Sequence, residues 1–256
     1  MARVGRVVRG LLAVLTLAGL PSAVLLPASA GSLPLGAASD SWTLRDPFSR
    51  EPVRRGDVDA DPYNIEHVYE VQLRLQRLGL FDARPDGRFG PRTEAAVKEF
   101  QKRNGLMPTG VVNHLTWPPL IRQSVRGRPA VPHGCRTTGW HACYDRWWHQ
   151  VSLYHDGELL NSWLVRGGES DTPTRTGTFQ VHFRDIDHVS AAFDDAPMPY
   201  SQFFSGGEAL HGSRFMMDPY VGHSHGCVNF WTEDARQLWN LTSTKRLWVH
   251  VYGRWS

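Results

Sequence analysis

Apolar side chains in this 256-residue chain keep two different periods, and the change between them constrains the fold more than any other feature. Val68, Val71, Leu75 and Leu78 recur at steps of three and four, which lines them along one face of a helix. Asn64 stands where a cap would begin that helix, and Gly79 where it would stop. A turn at Arg84-Pro85-Asp86-Gly87 follows, then Gly90-Pro91, with Pro91 suited to a first helical position. Ala96, Val97 and Phe100 form the next stripe, closed by Gly105. A third, short helix is predicted from Asn113, cut by Pro118-Pro119. From Trp147 the period falls to two: Trp147, His149, Val151 and Leu153 alternate with Trp148, Gln150, Ser152 and Tyr154. Asp156-Gly157 signals a hairpin, with residues 159–165 as the returning strand. Further strands are predicted over 178–183 and 246–252. One helix is predicted from a Thr232 cap, with Ala235, Leu238 and Trp239 facing inward. The fold class is α+β: a small three-helix domain, then a β-rich, sandwich-like domain.

The chain's start reads as an export signal over 1–30. Arg3, Arg6 and Arg9 precede an apolar run, and Ala28-Ser29-Ala30 has the small residues of a cleavage site. No later run approaches the length of a membrane helix, so no stable span is expected after processing. Residues 31–61, rich in Ser, Pro, Asp, Arg and Gly, read as a flexible linker. The helical domain is assigned to 62–124, a second linker to 125–143 and the β-rich domain to 144–256. With 28 basic and 25 acidic residues and no basic run outside the N-terminus, nucleic acid is not an expected partner.

Export bears on the three cysteines. Cys135 and Cys143 are close in sequence and flank a turn at Thr138-Gly139-Trp140, so they are predicted to pair. Cys227 is then a lone thiol in an oxidising compartment, either buried and inert or used for chemistry. Its surroundings favour chemistry: His211-Gly212-Ser213 upstream, then Ser224-His225-Gly226-Cys227-Val228-Asn229. A thiol attacks as thiolate, and an imidazole can take its proton. On a strand, His225 and Cys227 would share a face. His211 is far enough upstream to arrive from a neighbouring strand. Main-chain N–H groups near Gly226 are placed to face an oxyanion. A zinc site at His223, His225 and Cys227 is the competing reading, but three alternate residues on one short run make a cramped tetrahedral set. No metal or other cofactor is therefore expected.

Two resemblances follow from these residues. Asp86-Gly87-Arg88-Phe89-Gly90, Thr93, Ala96-Val97, Phe100-Gln101, Gly105-Leu106, Gly110 and Thr116-Trp117 resemble the helical peptidoglycan-binding domain family over roughly 62–124. Phe89, Phe100 and Trp117 read as core, so they do not locate the wall-binding surface. The second resemblance, over roughly 144–253, is to the L,D-transpeptidase (YkuD-type) catalytic domain family. Its motif is an upstream His, a loop, then Ser/Thr-His-Gly-Cys-hydrophobic-Asn, here His211 through Asn229. Gly167-Gly168, Thr172-Pro173-Thr174 and Thr176-Gly177 resemble its threonine-rich stretch with two extra residues, and Met198-Pro199-Tyr200 resembles the segment before its catalytic His.

The second resemblance implies a set of roles. Cys227 is the nucleophile and His211 the general base, with the Gly212 carbonyl orienting it. His225 shapes the pocket, and the N–H groups of Gly226 and Cys227 hold the oxyanion. Ser224 and Asn229 brace the loop at the substrate site, and Tyr200 lines the donor site. The implied activity is 3→3 cross-linking of peptidoglycan stem peptides through a cysteine thioester, with carbapenem β-lactams as covalent inhibitors. The alternatives are an L,D-carboxypeptidase or exchange enzyme on the same stems, or a catalytically silent wall-binding protein. The implied place of action is extracytoplasmic, at the cell wall.

Overall fold

The predicted apolar stripe forms helix α1, Val68–Arg77, in which Val68, Val71 and Leu75 are fully buried. The computed structural model describes residues 47–48, 50–61, 65–127 and 130–255. The export signal over 1–30 and the Asn64 cap lie outside the described residues. The cap is instead supplied from a distance. The Asp59 carboxylate accepts the main-chain N–H groups of Glu66, Val68 and Tyr69 at 2.9, 3.2 and 2.7 Å. That satisfies donors a helix N-terminus leaves open. Helix α2, Pro91–Arg103, buries Thr93, Ala96, Val97 and Phe100, with Pro91 in its first turn. The third helix corrects the sequence reading: α3 is Trp117–Ser124, so Pro118 and Pro119 open it rather than cut it. Their missing N–H groups fall in the first turn, where no intrahelical bond is lost.

The linker over 31–61 is corrected in its described part. Phe48 and Arg50 are buried, Val53 pairs with Val112, and Val58 pairs with Arg88. The polarity that suggested a tether is used internally. Arg50 meets Glu70 at 3.0 Å and Asp234 at 3.7 Å, with both partners buried. Arg74 meets Glu70 at 2.7 Å and donates to the Ser162 carbonyl at 2.7 Å. Burial would push the Glu70 carboxyl up, but Arg50 and Arg74 reverse this and hold it below its ordinary value.

The β-rich part begins earlier than expected, within the segment read as a linker. Strand β1 is Trp140–Asp145, followed by β2 Gln150–His155, β3 Glu158–Leu164, β4 Gly177–Gln180 and β5 Phe183–Ser190. Then come β6 Ala196–Ser205, β7 Glu208–Gly212, β8 Val228–Phe230, helix α4 Thr232–Thr242 and β9 Leu247–Tyr252. The alternation read from Trp147 starts too soon. Asp145 Oδ1 accepts the N–H groups of Trp147 and Trp148 at 3.0 and 3.2 Å, folding 146–149 into a turn. The Asp156-Gly157 hairpin forms between β2 and β3, both residues having positive φ of 51° and 79°. Thr232 does not cap α4; its hydroxyl is buried without a hydrogen-bond partner. A disulfide joins Cys135, in a short 3-10 turn His133–Arg136, to Cys143 on β1.

One sheet has the order β3-β2-β1-β9-β4, the other β5-β6-β7-β8. Apolar side chains of both sheets and of α4 fill the space between, among them Val151, Trp163, Val228, Phe230, Leu238 and Val249. A separate cluster of Ile65, Tyr69, Leu73, Leu164, Met216 and Trp231 seals α1 against the β-rich part. Among the described residues no helix is long and apolar enough to cross a membrane.

Candidate active site

Strands β7 and β8 run parallel, and their register sets Leu210 beside Val228 and His211 beside Asn229. Cys227 immediately precedes β8, so the thiol and the imidazole arrive from adjoining strands although they lie sixteen positions apart in the chain. Both line one cavity of about 530 Å³ with Arg166, Arg175, Phe193, Met198, Glu208 and others. The structure thus brings together Cys227, His211, His225, Ser224 and Asn229 from the sequence prediction.

The imidazole is held by its own strand. His211 Nδ1 lies 2.8 Å from the Gly212 carbonyl, so Nδ1 carries the proton and donates it, leaving the Nε2 lone pair for chemistry. A side chain at Gly212 would press on Pro199 and on the start of α4, with a Cβ 3.1 Å from each. Burial pulls the imidazole down to about 4, opposed only in part by the Gly212 carbonyl. Burial likewise pushes the Cys227 thiol up; the Ala209 backbone opposes this and the Glu208 carboxylate adds to it. The pair therefore rests as neutral thiol and neutral imidazole at pH 7. The Cys227 thiol faces the Gly207 carbonyl, with Sγ 3.7 Å from that oxygen.

The loop before Cys227 is braced by Ser224. Its hydroxyl donates to the Cys227 carbonyl at 2.5 Å and accepts the Gly226 N–H at 3.1 Å. This corrects the expected role of Gly226, whose N–H is occupied by Ser224 rather than open to an oxyanion. Gly226 has a φ of 120°, a conformation side chains rarely adopt. The threonine-rich stretch cradles the same loop. Ser224 N–H donates to the Gly167 carbonyl, Glu169 N–H donates to the Ser224 carbonyl, and Gly168 N–H donates to Thr174 Oγ1. A Cβ at Gly168 would stand 2.0 Å from the Thr172 carbonyl oxygen and 3.0 Å from Gly226 Cα, so only glycine fits.

One expectation changes. Tyr200 does not line the cavity; its ring packs near Trp239 against the core between the sheets. It follows Pro199 with a φ of 60°, which turns it away. His223, named in the sequence only as part of the competing zinc set, lines the cavity, with Nδ1 buried and its ring near Trp255 and His149. His225 is exposed at the mouth and stacks on Phe193 from the turn between β5 and β6, centroids 4.7 Å apart.

The sequence reading missed several wall residues. Glu208 accepts from the Arg175 main chain and meets Arg175 Nε at 3.2 Å. Arg166 pairs across to Asn229. Phe193 and Phe215 are exposed apolar residues that line the same cavity. Of these residues only Glu208 lies on a strand, and the others sit in turns and connections where no apolar period marks them. No spacing rule tied them to Cys227. Among the described residues, the groups whose donor atoms converge for a metal are Cys135-Cys143-His250, Glu51-His67-Glu233 and His67-Glu70-Asp234, none of which includes Cys227.

The two-sheet domain thus sets a thiol and an oriented imidazole in one cavity, the components that nucleophilic catalysis uses. Residues 145–251 match the family described as the L,D-transpeptidase catalytic domain, and residues 64–118 match the family of peptidoglycan-binding domains. The chain belongs to the L,D-transpeptidase catalytic-domain family, with a peptidoglycan-binding domain ahead of it. An L,D-transpeptidase (Yku) from Stackebrandtia nassauensis has a similar structure, with a TM-score of 0.50 at 25% identity, over 80% of this chain and 98% of that one. An uncharacterized protein in the bpoA1 3′ region of Kitasatospora aureofaciens is 37% identical over 120 residues, 45% of this chain and 98% of the relative. The two domains together imply a peptidoglycan-modifying acyltransferase with an extracytoplasmic role at the cell wall.

Proposed function

We propose that this chain is a peptidoglycan L,D-transpeptidase that forms 3→3 cross-links between stem peptides through a thioester on Cys227. The observation that carries the proposal is the parallel pairing of β7 and β8, which sets His211 and Cys227 in one cavity with Nδ1 of His211 engaged by Gly212. His211 Nε2 takes the thiol proton as Sγ attacks the carbonyl of the third stem residue. The tetrahedral oxyanion is held by the Cys227 N–H, since the Gly226 N–H is already committed. Collapse breaks the carbonyl–nitrogen bond, and the imidazolium returns its proton to the departing amine of D-alanine. A side-chain amine from a neighbouring stem then attacks the thioester. It loses a proton through His211, and the thiol is restored.

A neutral resting pair suits this order of events, because proton transfer accompanies attack and needs no standing ion pair. Ser224 and Asn229 brace the nucleophile's loop, and His225 with Phe193 narrows the mouth. Acylation of Cys227 by carbapenems follows from the same carbonyl chemistry. The β-rich domain, which opens with β1 at Trp140, carries the reaction, and the helical domain ahead of it holds the enzyme on the wall. An export signal over 1–30 would deliver it there. No cofactor enters these steps.

The test is product analysis by mass spectrometry on tetrapeptide stems. Dimers linked between two third residues support the proposal. Trimmed monomers without dimers would make the chain a carboxypeptidase, and no turnover together with wall binding would make it a silent binder.

A further inference from the structure

The active-site cavity holds two guanidinium groups, and only one of them has an anion. Arg175 is paired with Glu208 at 3.2 Å and its side chain is largely exposed. Arg166 is 7% exposed, and among the described residues no carboxylate lies within ion-pair distance of it. Its Nη1 donates to the carbonyls of Phe215 and Val221 at 3.0 and 3.1 Å, and its Nε is buried with no partner. Burial lowers this guanidinium with nothing opposing it. A buried cation satisfied only by neutral carbonyls is costly to keep, and a free anion is the group that would match it.

Its position says which anion. Arg166, Asn229 and His211 stand in one row across three adjacent backbone segments, through the Arg166–Asn229 and His211–Asn229 pairings. Paired residues on neighbouring strands present side chains to one face, and Cys227 lies two residues from Asn229 on that face. Spacings of about 4.8 Å between strands and about 3.3 Å per residue put the Arg166 and Cys227 backbones on the order of 8 Å apart. A carbonyl held at Cys227 therefore has its neighbouring carboxylate within reach of an arginine side chain.

Resting on the function proposed above, we infer that Arg166 is a specificity-determining residue that reads a free carboxylate of the donor stem. The source the geometry favours is the terminal carboxylate of the residue expelled from Cys227. The second source is the side-chain carboxylate of the diamino acid in the third position. The Arg166 charge also lowers the His211 imidazole. A carboxylate docked on Arg166 would relieve that and make His211 the stronger base when the correct donor is in place.

The test compares three tetrapeptide donors: the free acid, its terminal amide, and its diamino acid side-chain amide. Acyl-enzyme on Cys227 is followed by intact mass for the full chain and for Arg166→Gln and Arg166→Lys. The wild type is expected to prefer the free acid over the terminal amide by about tenfold to a hundredfold, the size of a charge-assisted hydrogen bond. Arg166→Gln is expected to erase that ratio, and Arg166→Lys to keep part of it. If the preference appears against the side-chain amide instead and vanishes in Arg166→Gln, the anion is the diamino acid's carboxylate. Arg166 also ties down the loop through Phe215 and Val221, but a purely structural role would slow all donors alike and leave the ratios intact. Equal rates for all three donors in the wild type would overturn the inference, whatever the variants do. So would a preference that survives in Arg166→Gln. Acylation by none of the donors would instead defeat the thioester reading beneath it.

Discussion

Glu70 is fully buried between Arg50 and Arg74, whose side chains are 2% and 0% exposed. Replacing it with glutamine keeps the volume and removes the charge, so two guanidiniums are left buried with one fewer anion between them. Removing one partner of a buried pair costs about 3–5 kcal/mol. In a domain of this size that corresponds to a fall of roughly 6–20 °C in Tm. The loss should not be confined to the helices. Arg50 also meets Asp234 on α4, and both arginines donate to the Ser162 carbonyl on β3. Thermal unfolding of Glu70→Gln at pH 7, followed by near-ultraviolet circular dichroism, should therefore show a lower Tm for the aromatic signal of the whole chain. The pH dependence has a definite sign. The Glu70 carboxyl is lowered on folding, so its contribution is present above the ordinary carboxylate range and is lost as pH falls through the lowered value. A Tm within about 2 °C of the wild type at pH 7 would refute the reasoning, because it would mean the buried charges need no partner.

Two further outcomes are expected. With His211 drawn down to about 4 and the Cys227 thiol pushed up, acylation by a donor should stay level between about pH 5 and 8 and fall only near pH 4; a limb at pH 6–7 in stopped-flow rates would contradict this. Gly168→Ala would drive a Cβ into the Thr172 carbonyl and toward Gly226, costing about 1–3 kcal/mol and slowing acylation of Cys227. An unchanged melting point and acylation rate would show that the cradle is not tight.

The chemistry was more legible in the sequence than the architecture around it. Helix periodicity located α1 and α2, and Asp156-Gly157 located its hairpin, because each depends on residues close in the chain. The motif from His211 to Asn229 was readable through its resemblance to the L,D-transpeptidase family, and the strand pairing then accounts for how its two ends meet. What was hidden depends on partners far away. Arg50 and Phe48 looked like tether because nothing local shows that Glu70, Asp234 and Arg122 wait for them. Pro118 and Pro119 looked like breakers because the same residues end a helix or begin one according to where the first turn falls. Strand β1 was missed because its Trp-His-Ala-Cys-Tyr-Asp run lies between β2 and β9, buried along almost its whole length and without alternation. Arg166 gave no signal at all, since a single arginine just past a strand says nothing about whether an anion faces it.

Intact-mass measurement with peptide mapping, after mixing the chain with a soluble tetrapeptide donor, tests the central claim most directly. The account predicts a mass gain equal to the donor less D-alanine, located on the peptide that contains Cys227, and none in Cys227→Ala. It also predicts that His211→Ala acylates far more slowly at pH 7. Turnover with no adduct at Cys227, or a His211→Ala variant that acylates at the wild-type rate, would contradict it.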